Sequence, residues 1–345
     1  SGFTVSGPIF QNKLFLFING EVERRKDPGS GAFVADNDNN PSNNLPGVSR
    51  VSASTMNQIR QRMIDVYGYD PGPYQGFTHT TTNNKFLFKL DWNINNNNNI
   101  YLRANLLDAE QQKPPHPFAI SFNNTGRGPN QNTLPFQKSG YNMNNELNSY
   151  ALELNSRYET FANRFFVSYN VFRDFREPFS TPFPTIEIAE NGITYTTIGH
   201  EPFSIHNILD QNVLQITNNF SYYLGKHVIT VGGTFEYFDF FNSFNLFRYG
   251  FMGFNTWPGQ TAFASIQDFL DATDPANPRD FGSFITPESV PYKGEFIEVG
   301  QLSFYAQDEF LISNQFSLTY GVRMDLPMYF TEPVDNPWSR GLKLL

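Results

Sequence analysis

The sequence contains no cysteine and no long apolar run, and these two absences exclude several classes of protein. Without cysteine among its 345 residues, the chain can form neither disulfides nor zinc–thiolate sites. No stretch approaches the roughly 18 apolar residues that a membrane-spanning helix requires. Acidic residues outnumber basic ones, 33 to 24, and the net charge is -9. Nucleic acid is therefore not an expected partner, because binding it requires a basic face.

Aromatic residues are, by contrast, unusually frequent. Hydrophobic residues make up only 39% of the chain and the mean hydropathy is -0.43, values that by themselves suggest a soluble protein. Aromatic residues nevertheless reach 17%, with 37 Phe, 17 Tyr and only 3 Trp. A soluble core does not need so many rings, whereas a transmembrane β-barrel uses them in its lipid-facing band and in girdles at both interfaces. Barrel strands alternate apolar and polar residues, so their mean hydropathy stays low.

Strand-like segments occur in pairs joined by short links rich in Gly, Asn and Lys. We expect about ten strands in five hairpins: 2–7 with 14–24, 85–92 with 100–107, 149–158 with 164–175, 213–224 with 227–238, and 301–312 with 316–326. In the segment 316–326, apolar side chains occupy the even positions and polar or small ones the odd positions. This period of two indicates one apolar and one polar face.

The lengths of the connections distinguish a barrel from a soluble β-sandwich, whose strands also alternate. Links within a pair are short, whereas those between pairs are long: 26–84, 108–148, 176–212 and 239–300. Soluble domains rarely contain several connections longer than about 12 to 15 residues. Outer-membrane barrels, however, have short periplasmic turns and long extracellular loops. The sequence therefore predicts an all-β fold, a transmembrane antiparallel β-barrel located in the bacterial outer membrane.

One short helix is expected in the first long loop, at about Thr55–Tyr67, with Ser54 or Thr55 as its N-cap. Its apolar residues recur at helical spacing and share one face: Met56, Ile59, Met63 and Val66. We expect this face to pack the loop over the mouth of the barrel.

No motif for catalysis or metal binding is recognisable. The histidines are expected to be solvated loop or turn residues: His79, His116, His200, His206 and His227. Asp36–Asn40 has the D-x-D-x-N spacing of a calcium loop but lacks the Gly that should follow, and Gly47 stands where the bidentate Glu belongs. There is also no nucleophile elbow and no phosphate loop. We expect no cofactor, no metal and no enzymatic activity.

Several segments carry a family resemblance. They are SGPIFQNKLFLF (6–17), YGYDPG (67–72), NKFLFKLDWNI (84–94), and YAQDEF (305–310) followed by LTYGVRMD (318–325). The last pair resembles a motif that is widespread in TonB-dependent receptors. The first three resemble the Oar-like branch of that superfamily, which has a carboxypeptidase-regulatory-like N-terminal domain. Together they touch most of the expected strands but not the long loops.

This resemblance implies a barrel of roughly 22 strands whose lumen is closed by a plug. Residues 1–345 would then be a partial barrel domain, an internal fragment without the N-terminal plug and the remaining strands. The TonB system would be a partner only through those absent segments, and outer-membrane lipid would contact the wall.

Charged residues on the expected inward face form one set of candidate site residues: Glu153, Arg157, Glu309, Arg323 and Asp325. Inward placement avoids the cost of about 2–4 kcal/mol for a charge facing lipid at the midplane. In a complete receptor these residues would contact the plug or balance one another. We expect Glu309 and Arg323 to form a cross-strand pair.

Aromatic residues of the long loops form the second set, the candidates for ligand or partner contact: Phe118, Phe122, Phe136, Tyr141, Phe251, Phe254 and Trp257. Phe179, Phe183, Phe203 and Phe263 belong to the same loops. Exposed aromatic residues often mark binding surfaces, but they could equally pack the loops on one another as a cap. Both interpretations stay open at this point.

The leading functional hypothesis is a TonB-dependent transporter that binds its ligand through the extracellular loops. The ligand could be a siderophore, an oligopeptide, a glycan or an exported protein. The alternative is a structural or scaffold subunit that grips other outer-membrane or surface proteins within a larger assembly. A surface adhesin is a third hypothesis, supported by the loops alone.

Overall fold

A computed structural model describes residues 1–37, 45–117, 125–252 and 263–332, with the side chains of 251–252 excepted. In chain order its elements are β1 (Gly2–Phe10), β2 (Leu14–Pro28), β3 (Val34–Asp36), β4 (Val48–Ser52), α1 (Ala53–Tyr67), β5 (Thr78–Asn95), β6 (Asn98–Lys113), β7 (Tyr141–Arg157), β8 (Phe161–Pro178), β9 (Thr185–Glu190), β10 (Ile193–Ile198), β11 (Ile208–Leu224), β12 (His227–Ser243), β13 (Phe251–Met252), α2 (Ile266–Ala272), β14 (Glu295–Ser313) and β15 (Phe316–Tyr329). Single 3₁₀ turns lie at Gln137–Ser139 and Gly282–Phe284.

Ten of the strands form one antiparallel sheet in the order β1-β2-β5-β6-β7-β8-β11-β12-β14-β15. The prediction of ten strands in five hairpins is therefore confirmed. Several strands extend further toward the long loops than predicted, because β5 begins at Thr78, β7 at Tyr141 and β14 at Glu295. The extension of β5 is polar on both faces, with the run THTTTNN at 78–84. Backbone pairing continues there without the alternation that marks the rest of the strand.

Strand register separates the sheet into two faces. On one face apolar side chains lie opposite each other, as in the pairs Leu90↔Leu102, Leu152↔Val167, Ile216↔Phe235 and Ala306↔Val322. The other face pairs polar residues, as in Lys89↔Arg103, Thr217↔Thr234 and Ser303↔Asp325. The apolar face is exposed, with Val322 at 77%, so it suits contact with lipid. We call it the lipid-facing side and its opposite the lumen-facing side.

Short turns connect the strands at one end of this wall. The link between β11 and β12 is only two residues, since Leu224 pairs with His227. Gly225 has φ +60° and comes first in that turn, the position at which a type II′ turn requires glycine. Its right-handed twist matches that of the paired strands, so the turn closes the hairpin without splaying it.

The long connections fold together into a separate body, the loop cap, formed by the described parts of 29–77, 114–140, 179–207 and 244–294. It contains α1, α2, the parallel pair β3–β4 and the small sheet β10-β9-β13. Its hydrophobic core draws buried residues from all four connections: Val51, Met56, Ile59, Met63, Leu134, Phe136, Ile186, Ile188, Ile198, Phe263, Phe269 and Phe281. Among the described helices, none is long and apolar enough to span a membrane.

Helix α1 is the helix that the sequence predicts in the first loop. It begins at Ala53 rather than Thr55, and its N-cap is Ser52, whose hydroxyl accepts from the Thr55 N–H. The cap is therefore two residues earlier than Ser54. At the other end Gly68 adopts a left-handed conformation and donates to the Ile64 carbonyl, a common helix stop. Met56, Ile59 and Met63 are fully buried, so the helix packs the loop as expected.

Candidate functional site

Two parts of the molecule could contact a solute or a partner protein: the loop cap and the lumen-facing wall. Contacts between distant segments hold the cap together. The Arg62 guanidinium donates to the carbonyls of Leu270 (3.0 Å) and Thr273 (2.8 Å), which ties α1 to α2. The hydroxyls of Tyr69 and Ser180 lie 2.7 Å apart and join the first loop to the third. Loops linked in this way cannot open one at a time without losing these bonds.

A fully buried ion pair joins the second and third loops. Arg127 Nε lies 2.5 Å from Glu187 Oε1, and neither side chain is exposed to solvent. Arg127 also donates to the His116 carbonyl at 3.0 Å. A buried pair of this kind stabilises a fold only while both partners are present, since removing one leaves an uncompensated charge. The two residues are 60 positions apart, and nothing in the sequence indicates that they pair.

A second buried polar group occupies the end of the third loop. Glu201 accepts from the Phe203 N–H (2.9 Å) and from the Ser204 hydroxyl. Burial raises the pKa of Glu201, although these hydrogen bonds oppose the rise. The adjacent His200 is 2% exposed. Burial lowers its pKa to about 4, and the main chain of Thr181 only partly opposes this shift.

The expectation that the histidines are solvated is wrong for several of them. His79 lies within β5 and is 6% exposed, and His200 is buried. His227 stacks on Phe310 with 4.4 Å between ring centroids, and its Nδ1 lies 2.7 Å from Asp308. These environments cannot be predicted from local sequence, because the residues that surround each ring come from other segments of the chain. Among the residues that the structure describes, no group of acidic and histidine side chains could hold a metal ion.

The candidate aromatic residues of the loops are used mainly for packing. Phe136 is fully buried and Tyr141 is 5% exposed, so both rings are closed to a ligand in this structure. Phe203 and Phe263 are also buried, and Phe183 stacks on Tyr69 at 4.1 Å. Phe251 pairs through its backbone with Thr185, and its side chain is not described. The remaining candidates lie outside the described residues: Phe118, Phe122, Phe254 and Trp257.

The candidate charges share the lumen-facing side of the wall, but one expected pair does not form. Register places Glu309 opposite Thr319 and Arg323 opposite Tyr305, so the two side chains are four residues apart along the strands. Arg323 instead bonds Asp325 on its own strand, at 2.8 Å. Two residues apart on one strand, these side chains share a face. The Glu309–Arg323 pair is therefore wrong.

A lumen-facing recess of about 570 Å³ surrounds another of the charges. Glu153 accepts from Arg164 across the β7–β8 pair at 2.7 Å. Lys89 bonds Asp91 at 2.9 Å and lies 4.9 Å from the Tyr101 ring. Arg103 lines the same recess. Arg157 lies nearer the short turns, beside the Asn-rich link of 95–99. This wall offers paired charges to a polar occupant of the lumen.

Solved structures with a similar fold are outer-membrane transporters. The outer membrane transporter YddB from Escherichia coli matches with a TM-score of 0.52 at 10% identity, over 94% of this chain and 33% of that one. The open form of the ferric-catecholate import receptor Fiu from E. coli K12 matches with a TM-score of 0.51 at 11% identity, over 94% and 42%. The chain thus spans less than half of either structure. At such identities the likeness shows the fold alone. A search of curated proteins finds no match.

The family of this chain follows from a family model, since structures of such low identity show only the fold. The model of the outer membrane beta barrel domain matches residues 1–341, nearly the whole chain. It agrees with the ten-stranded wall and its exposed apolar face, and it indicates location in the bacterial outer membrane. The chain belongs to the outer membrane beta barrel domain family.

Proposed function

We propose that the chain is the wall and loop cap of a TonB-dependent receptor, which takes up a ligand across the outer membrane. The observation that carries the proposal is the similarity in fold to YddB and Fiu over 94% of the chain. The paired charges of the lumen-facing side add support. A plug inside the barrel would need polar partners on the wall, and we expect the two ion pairs Arg164–Glu153 and Arg323–Asp325 to supply them.

We also propose that the receptor belongs to the Oar-like branch and that its other parts are a plug, further strands and a TonB-contacting segment. The motifs at 6–17, 67–72 and 84–94 support that branch. The remaining strands, the plug and the TonB-contacting segment would then belong to sequence outside residues 1–345. The contact with TonB would be made by those segments, and the role that we propose for this chain is ligand uptake rather than catalysis.

The packing of the loop cap affects how a ligand could bind and be taken up. Several of its described aromatic residues are buried in a core, Phe136, Phe203 and Phe263 among them, so these rings are not available to a ligand at the surface of the cap. Any movement of the cap during uptake would involve several loops together, because α1 is tied to the fourth loop by Arg62 and to the third by Tyr69. Fiu is named as a ferric-catecholate import receptor. A ferric siderophore is therefore one ligand class to test, beside oligopeptides and glycans.

A scaffold subunit is the second candidate, and the cap favours it in one respect. A loop body with its own hydrophobic core presents a fixed surface, which suits durable contact with another protein, since little order has to be gained on binding.

Uptake by the complete protein distinguishes the two functions. Cells that carry it, and deletion cells, would be given ⁵⁵Fe-labelled siderophores, labelled oligopeptides and labelled oligosaccharides, with and without an uncoupler of the proton-motive force. A transporter accumulates one class, and the uncoupler abolishes the accumulation. If no class accumulates and the barrel purifies in fixed stoichiometry with other outer-membrane proteins, the scaffold is correct and the transport proposal fails.

A further inference from the structure

A cavity of about 470 Å³ opens on the lipid-facing side of the wall, at the end where the long loops begin. Its floor is formed by the ends of β7, β8 and β11. Register places Glu146 opposite Arg173 and Arg173 opposite Asp210, with no irregularity along these pairs. Counting in steps of two from the lipid-facing Val167 reaches Arg173 and Phe175. The cavity is therefore outside the barrel and away from the lumen.

The level of the cavity along the wall matches the surface of the membrane. Below it, the lipid-facing residues of β8 and β11 are mostly apolar, as at Val167, Val171, Leu214 and Ile216. Above them the same face becomes charged, at Arg173 and Asp210. An outer-membrane barrel ends its apolar band where lipid headgroups begin. The floor of the cavity thus continues the lipid-contact surface into the headgroup layer.

The polar groups of the cavity are positioned but only partly satisfied. Arg173 donates to the carbonyls of Phe172 (2.8 Å) and Gln211 (3.2 Å) and to the Asn212 side chain (2.9 Å). Its Nε lies 3.8 Å from Asp210, whose side chain is 37% exposed. Neutral acceptors thus hold the Arg173 guanidinium in place. The neighbouring Asp210 carboxylate can still accept a hydrogen bond from another donor. A ligand with several hydroxyls can use both groups, since it donates and accepts at once.

The charges of the cavity and the burial of its histidine further limit the class of ligand that it can bind. Three acidic residues line the cavity, Glu146, Glu177 and Asp210, against the guanidinium group of Arg173. Arg176 also borders it, but the alternation along β8 directs that side chain to the lumen-facing side. This excess disfavours a phosphate as the main occupant. His200 also lines the cavity while 2% exposed, and apart from the main chain of Thr181 no described residue satisfies its ring nitrogens. The buried imidazole could accept from, or donate to, a neutral hydroxyl.

The apolar surface of the cavity suits the carbon face of a sugar ring. Phe175 is 38% exposed and lies beside Ile208 on the floor. On the loop side, Tyr292 stacks on His206 with centroids 4.2 Å apart, and the Arg248 guanidinium lies 4.0 Å from the Tyr292 ring. These contacts fix the loop side, so the cavity needs little ordering when a ligand binds. Rigid apolar walls with a few convergent polar groups are typical of small-molecule sites.

We propose that this cavity binds the saccharide headgroup of an outer-leaflet glycolipid whose acyl chains lie against the apolar band below. The hydroxyls meet Asp210, Arg173 and His200, and a ring face meets Phe175. The site is on the outer surface of the wall, so it is independent of uptake through the lumen.

The strand β8 offers a matched pair of variants for the test. Arg173→Gln/Phe175→Ala changes two neighbours on the lipid-facing side, and Phe172→Ala/Asp174→Asn changes two neighbours on the lumen-facing side. The complete protein, freed of lipid in detergent, would be titrated with fluorescent lipopolysaccharide that lacks the O-polysaccharide. We expect the first variant to lose affinity by about tenfold or more, equivalent to about 1.4 kcal/mol, and the second to stay within about twofold of the parent protein. Heat-modifiability on gels would show that both variants fold.

Three outcomes would overturn the proposal. In the first, the lipid-facing variant binds lipopolysaccharide as tightly as the lumen-facing one. In the second, the core oligosaccharide without acyl chains binds as tightly as the whole lipid, which makes the ligand a soluble saccharide. In the third, a protein purifies with the parent and is lost from the lipid-facing variant, which makes the cavity a protein-binding site. Uptake would be measured in the same variants. The lipid-facing change should leave uptake intact, so a failure of the glycolipid proposal can be distinguished from a failure of the transport proposal.

Discussion

The wall and the loop cap are built by different rules within one chain. In the wall every strand exposes both faces, and few of its side chains are buried, Ser168 and Ser303 among them. In the cap, side chains such as Phe136, Ile188 and Met63 are completely buried. The cap is stabilised as a soluble domain is, by removing apolar surface from water. The wall depends on its ladder of backbone hydrogen bonds and on lipid to cover its apolar side.

The largest expected effect comes from a substitution in the core of the cap, which tests whether the cap can unfold without the wall. Phe136→Ala should destabilise the cap by about 3–5 kcal/mol, because the change removes a buried ring and leaves a cavity. Hydrogen exchange of α1 should rise strongly, while the barrel stays heat-modifiable on gels. If the wall unfolds together with the cap, the two regions are one cooperative unit and the comparison fails.

The converse test destabilises the wall by introducing a charged side chain on one of its faces. Val322→Arg places a cation on the lipid-facing side and should cost about 2–4 kcal/mol near the midplane. Thr319→Arg, on the lumen-facing side of the same strand, should cost much less. The fraction of complete protein that reaches the folded, heat-modifiable form measures both. Equal losses would mean that the two faces of β15 are not distinct.

Acidification should weaken the cap selectively. The pKa of His200 is about 4 in the folded cap, below its ordinary 6.5. The unfolded cap therefore binds more protons between those values, and stability should fall as the pH drops from about 6.5 toward 4. The limiting slope is about 1.4 kcal/mol per pH unit.

Glu201 reduces this dependence, since its raised pKa stabilises the cap at low pH and that contribution is lost as the pH rises. Protease sensitivity of the cap between pH 4.5 and 7 would report the net effect. His200→Gln should flatten the profile. Identical profiles for His200→Gln and the parent protein would contradict the inferred burial of the ring.

The smallest expected effect concerns the lumen-facing charges. Arg323 and Asp325 should show a small but measurable coupling in a double-mutant cycle, since both are exposed and screened by solvent. Glu309 and Arg323 should show none, because the register keeps them apart. A measurable coupling for Glu309 with Arg323 would mean that the register of β14 and β15 is shifted.

How much the sequence predicts also differs between the two regions. The wall follows from a local rule, the period of two, so its strands, hairpins and faces were predictable. The polar extension at 78–84 carries no alternation, so the sequence does not predict it. In the cap, α1 was predictable from Met56, Ile59 and Met63, whose helical spacing is local as well.

The rest of the cap depends on contacts between distant segments. Arg127 and Glu187, or the burial of His200, cannot be inferred from spacing, because the partners lie in different loops. One local signal was overlooked. The strands β9 and β10 are joined by Asn191-Gly192, both with positive φ, and Asn-Gly between alternating residues is the strongest short-range hairpin signal. Recognising it would have revealed that the third loop is structured.

The composition of the cap core has a consequence for the order of assembly. Its buried residues range from Ala35 to Phe281, so the core cannot close until nearly the whole of this sequence has reached the outer membrane. The wall, whose hairpins pair neighbours along the chain, can form stepwise before that. Contacts between residues far apart in sequence form slowly. A newly inserted barrel should therefore pass through a stage with a finished wall and open loops, and in that interval the apolar residues of the loops are exposed to the cell exterior.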